Sequence, residues 1–440
     1  MNHLPQPQPE ALAHSIRVSE RIAERLVLAR GWLSFAEYMR LALYEPGLGY
    51  YSAGASKFGS TGDFVTAPEI SPLFAEVVAG QIDAVLRELG QGDLLELGPG
   101  TGAFAASAID VFNRCGTPIE RYRMLEVSAD LRERQAERLA RADQVRPLRE
   151  WCERLPEAFA GVVFGNEILD ALPCERFVTH DGQYWRLGVG LAPESSSSVP
   201  LFEWRVRPAD GSAPGDDEFR QEAAHLQQSL RVQGVALPND YCGEWQVGLD
   251  GWFESMATSL KEGVMLLADY GLPRVQLYHP ERTRGSLRCY YRHHAHDDPF
   301  FWPGLSDITA WVDFTRVAEA AERAGLQVQG FTTQMAFLAG GGIEQAMSRA
   351  LETANSVSPG MTTMSWSLSN IHAKSSPDIP VSRMSTMMNM PPSGMRAFAA
   401  DEPSNALTSW CARSLNAELS RSTSGWRCDN ATANASSING

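Results

Sequence analysis

Three glycines recur at alternate positions in the run Leu94-Leu95-Glu96-Leu97-Gly98-Pro99-Gly100-Thr101-Gly102, and a glutamate stands two residues ahead of the first. An apolar stretch ending in closely spaced glycines reads as a strand entering a tight turn, where backbone N–H groups can meet a ligand. A Walker A loop requires Lys and then Ser or Thr after its last glycine; Ala103 and Phe104 stand there instead. A dinucleotide fingerprint requires G-x-G-x-x-G, and this run is one residue short. Glu96 also argues against phosphate, because a carboxylate beside a dianion costs Coulomb energy, the more so in a partly dry pocket. The turn suits a ligand that is positively charged and lacks phosphate. S-adenosylmethionine is such a ligand, with an α-ammonium, a sulfonium and a neutral ribose. Gly98, Gly100 and Gly102 would let the backbone approach it closely, and Glu96 would meet the ammonium directly or through water.

Two further acidic positions extend this chemistry. Glu126 closes the next apolar stretch, YRMLE, and an acid at a second strand end can accept both ribose hydroxyls. Glu126 alone would serve either kind of cofactor; Glu96 separates them. Asn166 and Glu167 follow the apolar VVFG at what reads as the end of another parallel strand, where polar residues face the ligand crevice. A carboxylate there can hold a cationic acceptor such as a guanidinium in bidentate fashion. Asp170 either serves the same end or caps the following segment. The cluster Arg292-His293-His294-Ala295-His296-Asp297-Asp298 is irregularly spaced and has no distant partner, so loop support through hydrogen bonds is favoured over a metal site.

The elements that must position these residues read as an α/β protein. Apolar residues three and four apart predict helices between residues 10 and 46 and again from Pro72 to Leu89, where Ser71 and Pro72 form a good helix start. From residue 93 strands alternate with helices, the signature of βαβ units and a parallel sheet. Between about 176 and 260 the rhythm breaks. A hairpin turning at Asp181-Gly182 and two helical stretches read as an insertion, after which the sheet resumes at GVMLLADYG. The expected organisation is an N-terminal helical segment (1–90), a first core half (91–176), an inserted subdomain (177–260), a second core half (261–343) and a tail (344–440). The tail holds eight of the fourteen methionines, is rich in Ser, Thr and Asn, and reads as disordered or weakly ordered.

The net charge of −15 disfavours nucleic acid as the main partner, and no apolar run reaches membrane-spanning length. Seven scattered cysteines without a CxxC pair, and an N-terminus lacking a basic-then-apolar pattern, lead to the expectation of reduced thiols and a cytoplasmic protein.

Four blocks occur in order: GDFVTAPEISPLFAE (62–76), LLELGPGTG (94–102), GNEILDALPCERF (165–177) and DYGLPRVQLYHPERTRGSLRCYYRHHAHDDPF (269–300). Together they resemble the MidA-like family of S-adenosylmethionine-dependent methyltransferases, over roughly residues 15–343. The glycine run is common to class I methyltransferases; the GDF and DALP blocks are particular to this family. The resemblance implies a class I, Rossmann-like, seven-stranded methyltransferase sheet with an insertion. It implies that Gly62, Asp63 and Phe64 approach the cofactor from the N-terminal segment. Mitochondrial members act in respiratory complex I assembly and methylate protein arginine, which implies an arginine-bearing protein as partner. Asn166, Glu167 and Asp170 are then the catalytic candidates. Asp63, Glu96, Gly98, Gly100, Gly102 and Glu126 are the cofactor-binding candidates, with no metal. After FLAGGGIEQ the resemblance implies a short helix and a closing strand, yet a Met/Ser/Asn-rich stretch follows, which reads as a divergent or frame-shifted end. A NAD-dependent oxidoreductase and a non-catalytic assembly protein on the same fold are the alternatives.

Overall fold

The computed structural model describes residues 4–53, 67–140, 147–193 and 200–357, together with the strand at 383–390; for 353–357 and 383–390 it describes backbone alone. The chain opens with α1 (Pro9–Leu28) and α2 (Phe35–Tyr44). Val18, Ile22 and Leu26 stand four residues apart on α1 and form its buried stripe. Ser34 caps α2 by accepting from the Glu37 N–H at 3.1 Å. Short α3 (Ala67–Ile70) leads into α4 (Pro72–Leu89), where the Ser71 hydroxyl accepts from the Leu73 N–H at 3.2 Å and Pro72 occupies the first turn.

The alternating segment follows: β1 (Gly92–Leu97), α5 (Ala103–Cys115), β2 (Ile119–Leu125), α6 (Ala129–Ala140), β3 (Leu148–Cys152) and β4 (Phe159–Asn166). Next come β5 (Cys174–His180), β6 (Gln183–Leu191), β7 (Phe202–Arg207), α7 (Asp216–Val232), β8 (Cys242–Gln246) and α8 (Leu249–Ser259). The chain continues through β9 (Leu260–Leu272), α9 (Arg274–Leu277), β10 (Arg288–Tyr291), β11 (His294–His296), β12 (Asp307–Thr309) and β13 (Val312–Asp313). It ends in α10 (Phe314–Arg323), β14 (Gln327–Thr333), α11 (Gln334–Gly340), α12 (Ile343–Val357) and β15 (Arg383–Met390).

The main sheet runs in the order β14-β15-β9-β4-β1-β2-β3, with β13 paired to β9 as an eighth strand. Neighbours from β9 to β3 are parallel, and β15 is antiparallel to both β9 and β14. The chain moves outward from β1 to β3 and then returns to β4 on the other side of β1. This reversal makes the carboxyl ends of β1 and β4 the switch point of the sheet, the place where open α/β sheets bind ligands. Successive residues of β1 serve opposite faces: Leu94 joins the core under α4 and α5, while Leu95 and Leu97 join the core under α7, α8 and α10.

Strands β5 to β8 form a separate antiparallel sheet in the order β7-β6-β5-β8. Its first hairpin turns where His180 pairs with Gln183, with Asp181 and Gly182 at φ 48° and 72°, as the Asp-Gly signal predicts.

Three elements differ from the sequence reading. β3 was not expected, because its Arg149 and Glu150 interrupt the apolar pattern of an edge strand. The segment read as one long loop after Leu272 contains a small sheet ordered β11-β10-β12. The stretch from residue 344 supplies α12 and the closing strand β15, whose sequence RMSTMMNM has no clean period-two pattern.

Candidate active site

Gly98, Gly100 and Gly102 leave β1 with φ of 56°, 55° and 77°, backbone that side chains with a Cβ rarely adopt. A Cβ on Gly98 would stand 2.7 Å from Cδ1 of Ile168, so the segment after β4 lies against this turn. Among the described residues a Cβ on Gly100 would meet nothing within 4 Å, so none of them closes the turn on that side. The Gly102 N–H closes the turn on the Pro99 carbonyl at 2.8 Å, and α5 starts at the next residue.

Glu96 shares the face of Leu94 and is 4 % exposed. Its carboxylate accepts from the Tyr122 hydroxyl at 2.7 Å. Burial raises its pKa to about 8; the Tyr122 hydrogen bond opposes the rise and the negative charge of Glu126 adds to it. Glu126 follows β2 directly, where its N–H donates to the Cys152 carbonyl at 3.0 Å. Its Oε1 accepts from the Ser128 N–H at 2.8 Å and its Oε2 from Gln135 at 3.2 Å. Burial pushes its pKa up as well. The Glu126 carboxylate keeps lone-pair capacity beyond these bonds. Two buried carboxylates beside an open glycine turn fit a cationic ligand that carries vicinal hydroxyls, and they do not fit a pyrophosphate.

Thr101 donates to Glu69 of α3, and Arg138 donates to Thr101 at 2.8 Å, which ties the N-terminal segment to the turn. Asp63, with Gly62 and Phe64, lies outside the described residues.

The candidate acceptor residues begin one strand away. Leu97 pairs with Gly165, so Gly98 and Asn166 leave the sheet side by side. Glu167 has φ 56°, and its N–H donates to Ala268 of β9 at 2.8 Å. A left-handed residue that is neither Gly nor Asn is held there by its surroundings. The clamp is Asp269, 1 % exposed, whose Oδ2 accepts from the N–H groups of Ile168 and Leu169 at 2.9 and 2.7 Å. Asn166 Nδ2 lies 3.5 Å from Glu167 Oε1. Asp170 is buried, and its carbonyl accepts from the Ala310 N–H at 2.9 Å.

Sequence reasoning missed Asp269, Asp307, Tyr44, Tyr51 and Tyr290 on this side. The Tyr51 hydroxyl donates to Asp307 at 2.7 Å, the Tyr44 hydroxyl donates to the Ala171 carbonyl at 2.8 Å, and the two rings stack 5.4 Å apart. Burial raises the Tyr290 phenol to about 12, and Asp170, Asp307 and Glu167 push in the same direction. These three carboxylates therefore all act on one tyrosine, against the opposing charge of Arg288. No local motif announces this group, because its members come from α2, the loop after it, β9, β10 and β12. Gln135 was missed too, although a signal exists: a polar residue lies midway between Leu131 and Leu139 on the buried stripe of α6.

The histidine segment forms the β10–β11 hairpin, with Arg292 and His293 in its turn at φ 46° and 63°. Among the described residues no three or more His, Cys, Asp or Glu side chains are grouped to hold a metal ion.

Comparison with known proteins gives these features a family. A profile for S-adenosyl-L-methionine-dependent methyltransferases matches residues 75–332. The chain belongs to the MidA-like family of these enzymes. A crystal structure of a COG1565 superfamily member from Burkholderia thailandensis, bound to S-adenosyl-homocysteine, is 33 % identical. It matches with a TM-score of 0.75, over 88 % of this chain and 95 % of that one. A mitochondrial protein arginine methyltransferase NDUFAF7 homolog from Drosophila melanogaster is 30 % identical over 354 residues, covering 73 % of this chain and 74 % of the relative. The Mus musculus protein arginine methyltransferase NDUFAF7, also mitochondrial, is 27 % identical over 357 residues, covering 74 % and 75 %. This MidA-like methyltransferase takes S-adenosylmethionine as its cofactor.

The expectation of a cytoplasmic protein is corrected by the same comparison, since the curated relatives are named as mitochondrial. Scattered free cysteines report a reducing environment, which is a redox condition and not an address. No helix among the described residues is long and apolar enough to cross a membrane.

Proposed function

We propose that this methyltransferase acts on arginine in a protein substrate. The observation that carries the reading is the position of Glu167. Its backbone is fixed by β9 and its neighbours by Asp269, one strand from the glycine turn. The names of the relatives support the same acceptor. In this reading Glu96 and Glu126 hold the cofactor's ammonium and ribose while residues 98–102 give its backbone cradle. The bound cofactor supplies an electrophilic methyl group on a positively charged sulfur.

The remaining work falls to the chain. Glu167 orients the guanidinium through paired N–H···O contacts and keeps electron density on the attacking nitrogen. Asn166 positions the acceptor through its amide, and Asp170 adds negative potential behind it. The Tyr44–Tyr51 pair and Asp307 wall the acceptor side and limit water. Alignment at near-attack distance is the main contribution, because the donor is already activated. The proton leaving the attacking nitrogen passes to Glu167 or to water, so no strong base is required.

The test is transfer of a labelled methyl group from S-adenosylmethionine to lysate proteins, followed by mass spectrometry of the labelled residues. Subunits of a respiratory complex are the first substrates to assay. Methylarginine that disappears in Glu167→Gln is the expected result. Label on lysine or on small molecules, or no transfer at all, would overturn the proposal.

A further inference from the structure

Gln135 lies at the centre of α6, wholly buried, and packs beneath the glycine turn: a Cβ on Gly102 would stand 3.3 Å from its Cγ. Its amide makes three hydrogen bonds. The Trp151 indole N–H lies 2.8 Å from its oxygen, and its nitrogen lies 2.8 Å from the Gly100 carbonyl and 3.2 Å from Glu126 Oε2. An indole N–H can only donate, so the Gln135 oxygen must face Trp151. That choice fixes the amide and directs both of its N–H groups at the other two partners, which can only accept. Three segments of the chain thus meet in one side chain: the turn after β1 through Gly100, the residue after β2 through Glu126, and β3 through Trp151.

We propose that Gln135 is a positioning residue of the cofactor site. It fastens the Glu126 carboxylate to the glycine turn, so that the remaining lone pairs of Glu126 face the vicinal hydroxyls of the cofactor ribose. The inference rests on the assignment of Glu126 to the ribose. The Ser128 N–H holds one oxygen of Glu126 from two residues away; an amide anchored on the glycine turn and on β3 fixes the second before the ligand arrives. Trp151 acts one step further out, by preventing the amide from turning its oxygen toward Glu126, where two acceptors would repel. Arg132 acts on Glu126 as a cation and also pairs with Glu153 at 2.8 Å on the surface, so direction comes from the neutral donors, the Ser128 N–H on Oε1 and Gln135 on Oε2.

The experiment is calorimetric binding of S-adenosylhomocysteine and of its analogue lacking the 2′ and 3′ hydroxyls. It uses the full chain and the variants Gln135→Met, Trp151→Phe and Glu126→Ala. Gln135→Met keeps the volume and removes the hydrogen bonds. It should weaken S-adenosylhomocysteine about tenfold, and Trp151→Phe should weaken it about threefold. Against the analogue both variants should match the wild type within about twofold, because the hydroxyls that Glu126 would read are gone. Unchanged binding of S-adenosylhomocysteine by Gln135→Met, or an equal loss against the analogue, would overturn the inference. If Gln135→Met does not fold, as judged by thermal melting of the free protein, Trp151→Phe decides the matter by the same two ligands. Unchanged binding by Glu126→Ala would instead sink the ribose assignment itself, so the two failures are told apart.

Discussion

The two ends of the crevice differ in how far apart along the chain their residues lie. The cofactor end takes Glu96, the glycine turn, Glu126 and Gln135 from one βαβα run, and its hydrogen bonds join residues such as Tyr122 and Glu96, 26 apart. The acceptor end joins Tyr51 to Asp307, 256 apart, and Tyr44 to Ala171, 127 apart. The first is built mainly from residues close together in the chain. The second exists only when the N-terminal helices, the segment after β4 and the small sheet of β10 to β12 pack together. Such a division lets one cofactor site be kept while the acceptor wall is rebuilt from distant segments.

The sharpest way to break this comparison is Glu167→Gln. If the ends are separate, methyl transfer should fall on the order of 100-fold, while the S-adenosylhomocysteine Kd measured by calorimetry stays within about twofold. A comparable loss in binding would show that the ends are one unit. Gly98→Ala probes the point where they touch. The left-handed backbone costs about 1–2 kcal/mol with a Cβ, and that Cβ would press on Ile168. Chemical denaturation should register the lost stability, and both cofactor binding and transfer should decline; an unaltered midpoint would refute the close approach.

Protonation of Glu96 gives a third, intermediate effect confined to the cofactor end. Burial holds its pKa near 8, against an ordinary value of 4.5, so the free protein at neutral pH keeps this carboxyl mainly protonated. The folded state binds the proton more tightly than the unfolded state. Its stabilising contribution is therefore complete below about 4.5 and is lost as pH rises through about 8. A ligand ammonium favours the ionised form, so binding should release close to one proton at pH 7, and affinity should rise up to about tenfold per pH unit before levelling near pH 8. Calorimetry in two buffers of different ionisation enthalpy reads the proton directly, and Glu96→Gln should abolish its release. Proton release that persists in that variant would assign the effect to another group.

The smallest expected effect belongs to the acceptor wall. Tyr51→Phe removes one hydrogen bond to Asp307, about 0.5–1.5 kcal/mol. The acceptor KM should rise a few-fold with the S-adenosylhomocysteine Kd unchanged. A change in Kd without a change in KM would reverse the assignment of that wall.

The contrast also explains what could be read in advance. Strand, turn and helix at 94–115 follow from consecutive residues, because glycine spacing and apolar period act within a few residues of each other. The loop at Asp63 was named by resemblance and lies outside the described residues. β3 was hidden by the charged residues of an edge strand, and β15 by a methionine-rich sequence whose place between β9 and β14 no local period announces. Asp269 looked like an ordinary strand residue in GVMLLADYG, yet its carboxylate holds two N–H groups 100 and 101 residues away.

The amino-acid sequence by itself determined the parallel α/β run, the open glycine turn and the acidic character of its rim, since these depend on backbone freedom, side-chain period and charge within short stretches. Tertiary structure alone decided which carboxylates became buried neighbours, which backbone Asp269 clamps, and which tyrosines meet Asp307 and Ala171. Burial and long-range hydrogen bonding are properties of segments brought together by packing, and no single segment carries the energy that selects its distant partner.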